Sequence, residues 1–255
     1  MSRSLRLVPC LAAVVLASAC EVRTAVTVDV EEDGSGAVEV AAGLDDDALS
    51  RVPDLDDDGT SDSADLAALV RTDDLVAAGW SVDGPDPDDD GLTWVRVTKP
   101  FGTPEEADAV LAEVAGPDGP LRDLHVTRSE SFGRTELAFS GTADLRGGLE
   151  AFGDAGLAAA LDGEPLGEDA AAIEARIGRP LAEAVPVVIT AHLSGDDMTW
   201  TPRLGEGPLD MASDSTFYHW PALTLVVVAG LCLLAMAVVL LERLRRRLPG
   251  RQRRA

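Results

Sequence analysis

The chain is 255 residues long, carries a formal net charge of −24, and is 46% hydrophobic but only 4% aromatic, so its core is built from Ala, Val and Leu. Between Glu21 and His219 there are 12 basic and 44 acidic residues, a net of −32. Such a segment repels phosphates, which excludes nucleic acid as a partner and close docking on anionic headgroups through charge. The three cysteines, Cys10, Cys20 and Cys232, all sit in or beside apolar terminal segments. The intervening domain therefore has no internal disulfide, thiolate nucleophile or cysteine metal site.

Residues 1–19 read as a signal peptide. Arg3 and Arg6 form a basic n-region, and Leu7 to Ala17 an apolar stretch too short to span. Small residues then lead to Cys20, the lipid-attachment residue of a lipobox-like end, with Leu16 at −4 where a lipobox prefers Leu at −3. Ala17-Ser18-Ala19 also suits an ordinary signal peptidase. Lipidation is the reading favoured, because a cysteine placed directly after the signal is otherwise unexplained.

Residues 20–200 form the expected extracytoplasmic domain. Val22, Thr24, Val26, Val28 and Val30 alternate onto one face, Asp33 to Gly36 make a turn, and "AVEVAA" returns, predicting a hairpin. Asp45 to Ser50 suits a helical turn, Ser63 to Gly79 one or two short helices, and Leu92 to Thr98 a strand. In "TPEEADAVLAEVAG", Thr103 is an N-cap, Pro104 opens the first turn and Glu106 completes a capping box. Ala107, Val110, Leu111 and Val114 are its core stripe, and Gly116-Pro117 ends it. Asp123 to Ser129 and Arg134 to Ser140 flank "ESFG" as a hairpin. Ala-rich helices are expected around Leu149 to Leu161 and Asp169 to Ile177, and "VPVVITAHLSG" as the last long strand. Strands grouped with helices between them predict an α+β fold with an antiparallel or mixed sheet and short helices. Trp200 to Ser215 reads as a loop, so that residues 201–219 form a stalk.

Residues 220–241 are apolar and uncharged. Twenty-two such residues rise about 33 Å as a helix, enough to cross a bilayer. Tyr218, His219 and Trp220 supply an interfacial belt, and Arg243, Arg245, Arg246, Arg247, Arg251, Arg253 and Arg254 mark residues 242–255 as a cytoplasmic tail. The expected location is the cell membrane, with one C-terminal span and residues 21–219 outside. A lipid at Cys20 and a span at Trp220 would hold the domain by both ends.

"PFGTPEEADAVLAEVAGPDGPLRDLHVTRSESFGRTELAFSGTADL" and "LEAFGDAGLAAALDGEPLG" resemble the LppM-type domain of actinobacterial envelope proteins. The order of lipobox, hairpin, α+β ectodomain, span and basic tail resembles it too, over most of residues 20–241. The resemblance implies a lipoprotein-like surface protein whose ectodomain is similar to lipid-binding folds. It carries over no site residue but Cys20, since the family has no catalytic motif to match.

The chain has no G-x-S-x-G, H-E-x-x-H or P-loop, and its histidines, His125, His192 and His219, are scattered; the expectation is a non-enzymatic protein. One acidic stretch, Asp54 to Asp65, aligns as a twelve-residue calcium loop. Asp54, Asp56 and Asp58 fall at positions 1, 3 and 5, Gly59 at 6, the Thr60 carbonyl at 7, Asp62 at 9 and Asp65 at 12. Ser61 stands where such loops place an apolar anchor. "DPDDDG" at Asp86 to Gly91 repeats the first half but continues into Trp94 and Val97, so D-x-D-x-D-G also occurs here as a plain acidic turn; a solvated acidic loop is the competing reading. Two functions are expected. The first is an envelope module binding a lipid or amphiphile in a pocket of small aliphatic residues, from the Ala107–Val114 helix and its facing strands. The alternative is a structural or interaction module, calcium-dependent or not, whose protein partner is unknown.

Overall fold

The structure is a computed structural model, and it describes residues 21–50, 72–116, 119–148, 174–175 and 178–247. The predicted hairpin is present as β1 (Val22–Val30) and β2 (Gly36–Asp45), paired with Val28 opposite Val38. Gly34 makes the turn at φ +88°, and Asp33 Oδ1 accepts from the Ser35 amide and hydroxyl. A one-turn helix α1 (Asp46–Leu49) is capped by Asp45, whose carboxylate accepts from the Ala48 amide. Next come α2 (Thr72–Ala77), β3 (Ser81–Pro87) and β4 (Leu92–Phe101). The long helix α3 (Pro104–Ala115) is followed by β5 (Leu121–Ser131) and β6 (Arg134–Ala143). After them stand α4 (Leu181–Ala184), β7 (Val187–Leu193), β8 (Asp196–Trp200), β9 (Leu209–Tyr218) and α5 (Trp220–Arg247).

The fold class is α+β, as expected, and the larger sheet is mixed. Six strands run in the order β3-β4-β2-β1-β7-β8, and three more in the order β5-β6-β9. Within the larger sheet β1 and β7 are parallel; the other pairings are antiparallel. Register sets one apolar layer: Val26 lies beside Ile189, Val28 beside Ala191 and Val30 beside Leu193, all buried. Helix α3 packs Ala107, Val110 and Leu111 against β2 and β4. Val114, predicted in that stripe, is half-buried. The opposite face of the sheet is covered locally, where Ala25, Ala41, Leu92 and Trp94 cluster.

Two expectations are corrected. The stretch from Trp200 to Ser215 is not simply a loop or stalk: Leu209–Tyr218 is a ten-residue strand with Met211, Ser213 and Ser215 buried in alternation, and "VPVVITAHLSG" is followed by two more strands. Serine occupies two of the inward positions, so the apolar alternation that announces a strand is missing. Ser81–Pro87 also becomes a strand although it holds Gly84, Pro85 and Pro87; it lies at the sheet edge, where a missing amide donor is tolerated. The Ala-rich helices predicted for Leu149 to Leu161 and Asp169 to Ile177 lie almost entirely outside the described residues.

By compactness the chain divides into two units, Met1–Arg128 with Leu137–Ser215, and Ser129–Glu136 with Thr216–Ala255. The second consists of the β5–β6 hairpin tip, the end of β9 and α5.

Candidate functional site

Helix α3 and the first half of β5 build a groove in the larger unit. The helix begins as predicted: Thr103 Oγ1 accepts from the Glu106 amide at 3.3 Å. Glu106 reaches back one residue further than a capping box requires, accepting from the Gly102 amide at 2.7 Å. One turn on, Asp108 joins helix to strand. Its Oδ1 accepts the Val126 amide at 2.9 Å, and its Oδ2 lies 3.1 Å from His125 Nδ1. The helix ends at Gly116, φ +64°, whose amide returns to the Ala112 carbonyl.

Between the last turns of α3 and the start of β5 lies a cavity of about 440 Å³. Leu111, Leu121 and Leu124 are its buried floor, while Arg122, Asp123 and His125 are exposed at its rim. Asp123 adopts φ +51°, a left-handed conformation that Asp tolerates better than most residues. Gly141 keeps the floor in place, since a Cβ there would overlap the Leu124 side chain. The groove is lined by the Asp108–Gly116 part of the helix and by β5, and its polar rim of Arg122, Asp123 and His125 differs from the small aliphatic lining that the sequence suggested. The sequence signal for that rim is the polar run Arg122, Asp123 and His125 around Leu124, of which the sequence reading places only Asp123 onward in a strand.

The predicted site residues Cys20, Asp54, Asp56, Asp58, Thr60, Asp62 and Asp65 lie outside the described residues. Among the described residues, no cluster of three or more His, Cys, Asp or Glu side chains is arranged to hold a metal. The acidic repeat at Asp86 to Gly91 is described, and it is a hairpin turn held by its own aspartate. Asp88 Oδ1 accepts from the Leu92 and Asp90 amides at 2.9 and 3.0 Å, and Oδ2 from Trp94 Nε1 at 2.6 Å. Those donors, the Leu92 amide foremost, hold the Asp88 carboxyl below the ordinary aspartate range. Among the described residues its carboxylate is therefore already engaged by three donors.

In the smaller unit, α5 is exposed from Thr224 to Arg243, a stretch long and apolar enough to cross a membrane. An apolar stretch that buries none of its described residues is unlike the core helix of a globular domain, which buries one stripe. Fold and helix together define a class: an α+β domain of two sheets followed by one C-terminal helix of membrane-crossing length.

In structure the chain is similar to the folded domain of Mycobacterium tuberculosis LppM, solved by NMR, at 12% identity and a TM-score of 0.34, over 77% of this chain and 90% of that one. No protein-family model and no curated protein matches the sequence.

Proposed function

We propose that this is a membrane-anchored, extracytoplasmic cell-envelope protein, lipidated at Cys20, whose non-enzymatic ectodomain binds a lipid or amphiphile in the groove between α3 and β5. The observation that carries the reading is the groove's chemistry: buried Leu111, Leu121 and Leu124 beneath the exposed Arg122, Asp123 and His125. An acyl chain takes the floor and a polar headgroup the rim, the division of apolar body and few convergent polar groups typical of ligand sites. Supporting the anchoring are the exposed apolar helix and the arginines after it, which by the positive-inside rule leave the ectodomain outside.

The test is lipid extraction and mass spectrometry on the full chain purified from membranes in detergent. The expected result is one recurring amphiphile class from the native chain and its loss from Ala112→Trp, which fills the groove from an exposed helix position. Recovery of no amphiphile from the native chain, or equal recovery from the variant, overturns the groove as its site.

A further inference from the structure

We infer that the tip of the β5–β6 hairpin is a second membrane contact, in which Phe132 enters the interfacial layer of the same leaflet where Trp220 opens the span. The inference rests on the reading of α5 as a membrane span. Strands β5 and β6 are joined by the two-residue turn Phe132-Gly133, with Gly133 at φ +73°. The Gly133 carbonyl accepts the His219 amide at 2.9 Å, so the turn is bonded to the residue immediately before α5. A side-chain bond repeats the connection: Thr135 Oγ1 lies 2.8 Å from His219 Nε2, and Thr135 is fully buried. The hairpin tip and the root of the helix therefore form one piece, and whatever depth Trp220 takes limits the depth of Phe132.

Phe132 is 73% exposed, against 70% for Trp220 and 50–70% for the large apolar residues described between Leu225 and Leu241. A single exposed Phe on a soluble surface is ordinary and calls for no partner. This one is tied to a helix root that already bears exposed Tyr218 and Trp220, the aromatic pair that suits the headgroup layer. The tip itself is uncharged over Ser131, Phe132 and Gly133. Arg134, just behind it, is neutralised by Glu136 at 3.0 Å. An uncharged aromatic tip with charges set back fits a bilayer interface, where aromatic rings partition and unpaired charges do not. The contact would complement the helix: the span prevents escape from the membrane, and the hairpin fixes how the protein stands on it.

Photocrosslinking distinguishes the contact from the span. The full chain is prepared with p-benzoylphenylalanine replacing Phe132, Trp220 or, as background, Asp90, reconstituted in phosphatidylethanolamine–phosphatidylglycerol vesicles, irradiated and analysed for lipid adducts. The adduct yield at 132 should approach that at 220 and exceed that at 90 by roughly ten-fold, as expected of an interfacial aromatic. Lipid adducts at 220 with background yield at 132, or protein adducts in their place at 132, overturn the hairpin contact and leave the span standing. Background yield at both 132 and 220 overturns the span reading and the inference with it.

Discussion

Lys99, the only lysine of the chain, places its Nζ 2.8 and 2.7 Å from the two carboxylate oxygens of Glu113. The same ammonium donates to the Ala78 carbonyl at 2.8 Å and lies 5.7 Å from the Trp80 ring centroid, while Trp80 Nε1 donates to Glu113 at 3.1 Å. Three elements meet there: β4 supplies Lys99, α3 supplies Glu113, and the corner between α2 and β3 supplies Trp80. The cluster fastens the outer side of α3 while its apolar stripe is buried on the sheet.

Removing Lys99 should soften the acid limb of the stability curve. Donation from Lys99, and then from Trp80, holds the Glu113 carboxyl below the ordinary glutamate range. A lowered pKa contributes stability that is fully present above the ordinary value of about 4.5 and is lost as pH falls through the lowered one. Lys99→Met should cost about 1 kcal/mol at neutral pH, a small sum because Glu113 is half-exposed and water screens the pair. The difference from the native chain should shrink below pH 4, measured by denaturant melts of the full chain in detergent. A cost that stays constant down to pH 2 would show that packing on Trp80, not the ion pair, is what Lys99 supplies.

Gly43→Val should be the more damaging change. Gly43 stands opposite Trp94, and a Cβ there would meet indole atoms at 2.8 to 2.9 Å. The ring cannot simply swing away, because its Nε1 is bonded to Asp88 at 2.6 Å and Arg96 stacks 5.3 Å from its centroid. Overpacking of this kind costs about 2 kcal/mol, or roughly 5 °C in Tm for a chain of this size. Tryptophan emission should also shift to longer wavelength as Trp94 loses its cover. A variant with native Tm and emission would contradict the ring's placement over Gly43.

The two proposed anchors are separable by genetics. Cys20→Ser should leave the protein in the membrane, because the apolar helix remains, while metabolic acyl labelling disappears. Truncation before Trp220 should also leave it membrane-associated, held by acylation alone and so extracted more readily than a spanning helix. Release of the truncated chain into the medium would mean that Cys20 carries no lipid and that Ala17-Ser18-Ala19 is an ordinary cleavage site.

A calcium site at Asp54 to Asp65, the alternative to a solvated acidic loop, would have a thermodynamic signature. If the loop binds calcium, millimolar Ca²⁺ should raise the Tm of the full chain by mass action, and Asp54→Ala with Asp58→Ala should abolish the rise. An equal rise in the double variant would be the response of a domain with net charge −32 to screening by any divalent ion.

Local signals were legible in the sequence because their physics closes within a few residues. The turn at Asp33 to Gly36, the Thr103-Pro104 helix start, the β5–β6 hairpin and the apolar helix are each decided by neighbours along the chain, and all four stand where expected. Tertiary structure decided what depends on distant partners. Nothing in β1 announces that β7, more than 150 residues further along the chain, lies parallel beside it, with Val28 against Ala191. Nothing in Ser81–Pro87 or Leu209–Tyr218 reads as a strand by itself. The first is a strand because an edge position forgives its prolines, the second because its sheet position buries Ser213 and Ser215. The groove follows the same division. Helix α3 was visible from its cap and its stripe, but the polar rim of the groove depends on a distant partner: Asp108 bonds to His125 and Val126 and so holds the Arg122–His125 segment beside the last turns of the helix.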